Sequence, residues 1–147
     1  MSVTTKRIMT ELSQISKLKE YTIRTINDNI MKWEVDFMGP LNTPFENGKF
    51  TLTIDFTDNY PYAPPIISFK NKMFHPNINS YGNICLDILK TQWSPIMKMS
   101  QVILSIISLL DDPNEKDPFN SEAARLYSSD KDEYDRKVKE LTKLYYV

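Results

Sequence analysis

At 147 residues the chain can bury roughly two thirds of the surface its unfolded form would expose, so one domain over residues 1–147 with no tail extensions is expected. Eighteen basic against 19 acidic residues leave a net charge of −1, which excludes a nucleic-acid binder held by phosphate attraction. One cysteine and one histidine permit no internal disulfide and are too few for a structural zinc site.

Residues Met1 to Arg7 have no apolar run behind their charges, and no stretch reaches the roughly 20 apolar residues of a membrane span. A cytoplasmic or nuclear protein with no membrane partner is therefore expected. Ile8, Leu12 and Ile15 recur at i, i+4 and i+7, the stripe of an amphipathic helix that Thr4 or Thr5 could cap. Lys6 and Arg7 are expected to stay solvated at its start, where positive charge opposes the helix dipole.

Four strands come next. Tyr21 to Ile26 is rich in Thr and Ile, and Met31 to Phe37 alternates apolar Met31, Trp33, Val35 and Phe37 with charged Lys32, Glu34 and Asp36, giving one wet face. Asn47-Gly48 supplies turn chemistry before residues 49–56, where Phe50, Leu52, Ile54 and Phe56 point inward. Ile66 to Phe69 is the fourth candidate. The economical assembly is an antiparallel meander.

The prolines of Tyr60-Pro61-Tyr62-Ala63-Pro64-Pro65 stiffen the connection into that last strand and remove amide donors. Tyr60 is expected to pack under its own loop and Tyr62 to be exposed. Residues 75–83 carry Asn, Pro, Ser and Gly with no helical or strand period and should form an irregular, turn-rich segment. Residues 100–110 are apolar at nearly every position, as in a buried central helix. After the break at residues 111–118, a short helix from Ser121 to Tyr127 precedes a last one with Tyr134, Val138, Leu141 and Leu144 in helical register and Ser129 and Asp132 in capping-box spacing. The fold class is thus α+β: an N-terminal helix, a four-stranded antiparallel meander sheet, a central buried helix and two C-terminal helices.

Chemistry concentrates between His75 and Leu89. Cys85 is the only residue able to attack an acyl thioester, become acylated and yield the acyl group to an amine. No cation adjoins it in sequence and Asp87 disfavours a thiolate, which suits a carrier of an already activated acyl group better than an amide-cleaving protease. Pro76 restricts the backbone of His75, favouring a turn held by the imidazole over a Cys/His dyad. Asn77 has two open readings: its amide can donate to the oxyanion formed when a lysine attacks the thioester, or it can fix the turn through its own backbone.

His75-Pro76-Asn77 with a cysteine eight positions after the Asn (85 − 77), then Leu86-Asp87-Ile88-Leu89 and Trp93-Ser94-Pro95, resembles the active-site signature of ubiquitin-conjugating enzymes. The preceding residues 60–65 and the following Asp112-Pro113-Asn114 also fall at family spacing, so the resemblance covers essentially the whole chain. It is closest to the broad-specificity subfamily that works with RING-type ligases.

The resemblance implies that Cys85 accepts ubiquitin as a thioester from an activating enzyme and passes it, with a RING-type or HECT-type ligase, to lysines of substrate proteins. ATP would be spent by the activating enzyme, so no cofactor and no metal are expected here, and a monomer is expected. By resemblance Asp87 and Asp117 lie beside the thiol and guide the incoming lysine, with Asn114 as a supporting polar group and His75 as a structural one. Lys6 and Arg7 would help dock the activating enzyme and ligases; Tyr62, Pro95 and Ile96 would form the ligase patch; Gln92 would meet a ligase arginine. Leu104 and Ser108 would contact the thioester-linked ubiquitin folded back on the central helix. Alternatives are a conjugating enzyme for a ubiquitin-like modifier and a non-catalytic ubiquitin-binding variant of the fold, although such variants generally lack the cysteine and the intact His-Pro-Asn.

Two stretches depart from the family pattern. Residues Ser16 to Asn27 lack its usual proline and glycine cluster, which bears on a noncovalent ubiquitin site near Thr22. Tyr81 and Asn83 put more bulk around the active-site glycine than the nearest subfamily has.

Overall fold

A computed structural model describes residues 1–147. In chain order it has α1 (Val3–Ile15), β1 (Thr22–Ile26), β2 (Asn29–Met38), β3 (Lys49–Asp55), β4 (Ile66–Phe69), a 3-10 turn at Asp87–Leu89, α2 (Met99–Asp111), α3 (Ser121–Ser129) and α4 (Lys131–Thr142), closed by a 3-10 turn at Lys143–Tyr145. The four strands pair antiparallel in the order β1-β2-β3-β4, the expected α+β meander.

Turn chemistry accounts for the hairpins. Asn27 and Asp28 both take positive φ, 55° and 58°, the backbone of a two-residue primed turn whose twist matches its strands. That compact turn helps explain how the chain manages without prolines and glycines in this region.

On β2 and β3 the predicted alternation holds: Trp33, Val35, Phe37, Phe50, Leu52 and Ile54 are all buried. They join Met99, Val102, Ile103 and Ile106 of α2 in one core cluster, each large side chain contributing about 1.5–3 kcal/mol. The other face of the sheet differs from the expectation of a simply wet surface. Asp36 is buried, because Arg24 donates to both of its carboxylate oxygens at 2.8 and 3.1 Å and the Thr51 hydroxyl donates at 2.7 Å. Arg24 also reaches Glu34, which Lys70 meets from the far side. The hydrogen bonds from Arg24 hold the Asp36 carboxyl below its ordinary range. Thr22, opposite Asp36 in the β1–β2 register, therefore sits at the border of a self-paired charge lattice.

Helix ends depart from several expectations. Ser2, not Thr4 or Thr5, caps α1 by accepting from the Thr5 amide, while the Thr4 hydroxyl donates to Tyr60 O at 2.6 Å. Asp130, not Ser129, caps α4; Ser129 still belongs to α3, where its hydroxyl donates back to Arg125 O. Tyr134 and Val138 are buried as expected, but the helix tightens after Thr142 and turns Leu144 into solvent. Tyr145 takes the inward place instead, 5.8 Å from the Phe50 ring between centroids.

Candidate active site

The segment from His75 to Cys85 is irregular, as its composition requires, and it is held by hydrogen bonds of which the histidine side chain makes two. His75 is fully buried, accepts at Nδ1 from the Asn77 amide at 3.0 Å, and donates from Nε2 to the Leu109 carbonyl of α2 at 2.7 Å. Those partners assign the proton to Nε2. Burial pushes its pKa down to about 4, so the ring is neutral near pH 7 and serves as a strut between the turn and the central helix.

Asn77, also fully buried, clamps a second segment. Its Nδ2 donates to Asn114 O at 2.6 Å and its Oδ1 accepts from the Asn114 amide at 2.8 Å. Farther along, Pro76 O accepts from the amides of Phe119 and Asn120 at 2.8 and 3.1 Å. Asp117 lies on the exposed span between these two anchors, which tie residues 114–120 to the His-Pro-Asn turn. The Asn114 side chain itself accepts from the Lys116 amide at 3.0 Å.

Cys85 is half-exposed, and its amide donates to Asn77 O at 2.8 Å. Between Asn77 and Cys85 the chain makes a tight turn organised by Asn79, whose Oδ1 accepts from the amides of Tyr81 and Asn83, both at 3.0 Å. Gly82 is obligatory there. Its φ is +82°, and a Cβ would stand 2.1 Å from Phe69 O, next to the bond that Phe69 N–H makes to Gly82 O. The side chains of Tyr81 and Asn83 point into solvent on either side.

Past the cysteine, Asp87 opens the 3-10 turn, and its carbonyl accepts from the amides of Lys90 and Gln92 at 2.9 and 3.0 Å. This turn was not expected, and it corrects one reading of the thiol. No cation neighbours Cys85 within the motif, yet the reversal brings Lys90 Nζ to 3.2 Å from Cys85 Sγ. Lys90 has no helical or strand period relating it to position 85, so nothing in the sequence signalled the contact.

Two loops make an exposed patch. Tyr62, Ile96, Pro95 and Gln92 are all exposed, Tyr62 and Ile96 at 75% and 85%. Trp93 joins the loops from beneath by donating from Nε1 to Pro61 O at 2.8 Å, and its ring lies near that of buried Tyr60. Lys6 is solvated as expected, but Arg7 is not. Its guanidinium donates to Pro95 O at 2.7 Å and Met97 O at 2.9 Å and pairs with buried Glu11, which accepts from the Met99 amide at the start of α2. Arg7 thus braces the patch from inside.

The central helix is less uniformly buried than its apolar sequence suggests. Leu104 and Ser108 are exposed and line a shallow groove with Leu86, the residue after the thiol, and Leu109. No group of three His, Cys, Asp or Glu side chains converges to hold a metal ion, and no helix is long and apolar enough to cross a membrane.

Comparison with known proteins agrees with this geometry. The ubiquitin-conjugating enzyme family model matches residues 7–142. Over 144 residues, 97% of this chain and 96% of the other, the sequence is 48% identical to ubiquitin-conjugating enzyme E2 3 of Arabidopsis thaliana. Among solved structures, the E2 domain of a Toxoplasma gondii ubiquitin conjugating enzyme superposes with a TM-score of 0.90 at 37% identity, covering 97% of this chain and 99% of that one.

Proposed function

The chain belongs to the ubiquitin-conjugating enzyme family, and on that premise we propose that residues 1–147 act as one catalytic domain in which Cys85 carries ubiquitin as a thioester. The observation that carries this reading is the half-exposed Cys85, the chain's only cysteine, bonded through its amide to O of Asn77, the residue whose side chain tethers the 114–120 loop. An activating enzyme supplies the ubiquitin thioester; the Cys85 sulfur attacks its carbonyl, and the partner's thiol leaves. No cofactor takes part on this chain.

Discharge uses the groups around the thiol. A deprotonated lysine amine attacks the thioester carbonyl, negative charge gathers on the carbonyl oxygen, and the Cys85 sulfur leaves as the amide forms. Asn77 holds the loop that carries Asp117, and the remaining Nδ2 hydrogen of Asn77 is the donor for that oxyanion. Asp87 and Asp117, both exposed, orient the amine and receive its proton. Asn114 contributes through its backbone, which pairs with both ends of the Asn77 amide.

Tyr62, Gln92, Pro95 and Ile96 receive a RING-type or HECT-type ligase; Lys6 contacts partners directly and Arg7 holds the loop they bind. Leu104 and Ser108 receive the carried ubiquitin, a placement supported by the groove they share with Leu86. The protein works as a monomer, in the cytoplasm or nucleus.

The test is loading. Incubated with activating enzyme, ATP and ubiquitin, the protein should form an adduct that reductant removes and that Cys85→Ala cannot form. An adduct with a ubiquitin-like protein in place of ubiquitin would refute the choice of modifier, and the absence of any reductant-labile adduct on the wild-type protein with either would refute the carrier role of the thiol.

A further inference from the structure

A groove of about 920 Å³ opens between residues 72–80 and the faces of α3 and α4. Its near wall is built from the two segments that frame Cys85: Asn79 and Ser80 of the active-site turn, and Phe119 and Asn120, whose amides are tied to Pro76 O. Lys90 Nζ spans the rim, 3.2 Å from Cys85 Sγ and 5.1 Å from the centroid of the Phe119 ring. The groove thus begins beside the thiol.

From Phe119 it follows one face of α4, where Arg136, Lys137, Glu140, Leu141 and Leu144 recur at helical spacing. At about 1.5 Å per residue the wall from 136 to 144 is about 12 Å long, the span of about four residues of extended chain. Phe119 and Leu144 are 41% and 73% exposed, so apolar surface lies open at both ends. An extended chain has backbone groups that need partners, and the near wall offers them. Asn79 and Asn120 commit only Oδ1, to local amides, which leaves their Nδ2 groups and the hydroxyls of Ser80 and Ser121 without a bond inside the protein.

The charges of the groove are unequally spent. Glu122 pairs with Lys137 at 2.6 Å, Glu140 with Lys143 at 3.4 Å, and Arg136 with Glu133. Lys72 has no ion pair. Its amide donates to the Tyr145 hydroxyl at 2.9 Å, which fixes it at the Leu144 end. The one uncommitted charge is therefore a cation, at the end of the groove remote from the thiol.

We infer that this groove is an acceptor subsite: it seats an extended segment flanking the lysine that receives the acyl group, with a large aliphatic side chain between Phe119 and Leu144 and a carboxylate on Lys72, about four to six residues from that lysine. The inference rests on the reading of Cys85 as a thioester carrier, which brings a lysine of a polypeptide to the mouth of the groove. The subsite selects among acceptors and leaves the bond-making step to the groups around the thiol. Its contribution is binding shared by ground and transition states, which appears in KM and not in kcat.

The experiment measures discharge of ubiquitin from the loaded protein, after removal of ATP, onto short peptides that each contain one lysine. One carries Leu and Glu at the stated spacing, another has Ser at both positions, and a third has Arg in place of Glu; each is made with the pair before and after the lysine. In one of the two orders the Leu/Glu peptide should show a KM about tenfold lower than the Ser peptide at equal kcat, the gain expected from burying a leucine. Leu144→Glu and Lys72→Glu, both at exposed positions, should remove that advantage while loading and discharge onto free lysine stay unchanged, and Lys72→Glu should prefer the Arg peptide. Equal KM values in wild type, or an advantage that survives both variants, overturn the inference. Anisotropy of the fluorescein-labelled Leu/Glu peptide on unloaded protein keeps the two readings apart. Binding that Leu144→Glu abolishes, in a protein that never loads ubiquitin, supports the groove and overturns the carrier reading; normal loading with no binding and no preference among peptides overturns the inference alone.

Discussion

Acidification should destabilise this protein in part through one buried ring. His75 is the chain's only histidine, and burial lowers its pKa from 6.5 to about 4. The folded state binds the proton less readily than the unfolded state, so the stability it protects is fully present above pH 6.5 and is lost as pH falls toward 4. Integrating that uptake from the two pKa values gives a loss of about 2 kcal/mol at pH 5 and about 3 kcal/mol at pH 4 relative to pH 7.5. The cost has a structural source: a protonated ring would carry a proton on Nδ1, where Asn77 N–H now donates, and would be left charged without water. Urea denaturation followed by the fluorescence of Trp33 and Trp93, at pH 7.5, 6 and 5 and constant ionic strength, measures the effect. His75→Asn will be less stable at every pH, but it should lack this component of the slope. Equal losses between pH 7.5 and 5 in the two proteins would refute the reasoning, because the carboxylates are common to both.

Other predictions probe the turn, the clamp and the patch. Gly82→Ala should cost about 2 kcal/mol or more in urea denaturation, from the positive φ and the 2.1 Å approach to Phe69 O; an unchanged midpoint would show that the turn can rebuild. Asn77→Ser should load normally yet discharge onto free lysine more slowly, by up to about a hundredfold if an oxyanion donor is lost, and equal discharge rates would remove that role. The same variant frees the Asn114 amide and should destabilise by about 1–3 kcal/mol. For Arg7→Ala, the stimulation of discharge by a ligase, measured against the rate without ligase, should fall several-fold because Pro95 and Met97 lose their brace. Stimulation intact in Arg7→Ala but lost in Tyr62→Ala would show that the loop holds its shape unaided.

The 3-10 turn after Cys85 shows where local and distant information part. Its hydrogen bonds are short-range, from Lys90 and Gln92 back to Asp87 O, yet no periodic pattern announces three residues of 3-10 helix. The contact it creates between Lys90 and Cys85 was invisible for the same reason. Arg7 shows a different limit. A basic residue in the first turn of a helix reads as solvated, and only the approach of residues 95–97 to α1 supplies the carbonyls that turn it inward.

By itself the sequence determined the meander, the buried stripe of each strand, the rigid proline loop and the one candidate for a thiol nucleophile. These follow from residue periods, from the conformations Pro and Gly allow, and from the presence of a single thiol. The tertiary structure decided which polar groups are satisfied and by whom: His75 by Leu109 O, Asn77 by Asn114, Asp36 by Arg24 and Thr51, Arg7 by the patch loop. A polar side chain far from its partner in sequence carries no trace of that partner. In the stretch from His75 to Lys90, a histidine ten residues from a cysteine suggests a pair, but packing delivers the imidazole to α2 and a lysine to the thiol.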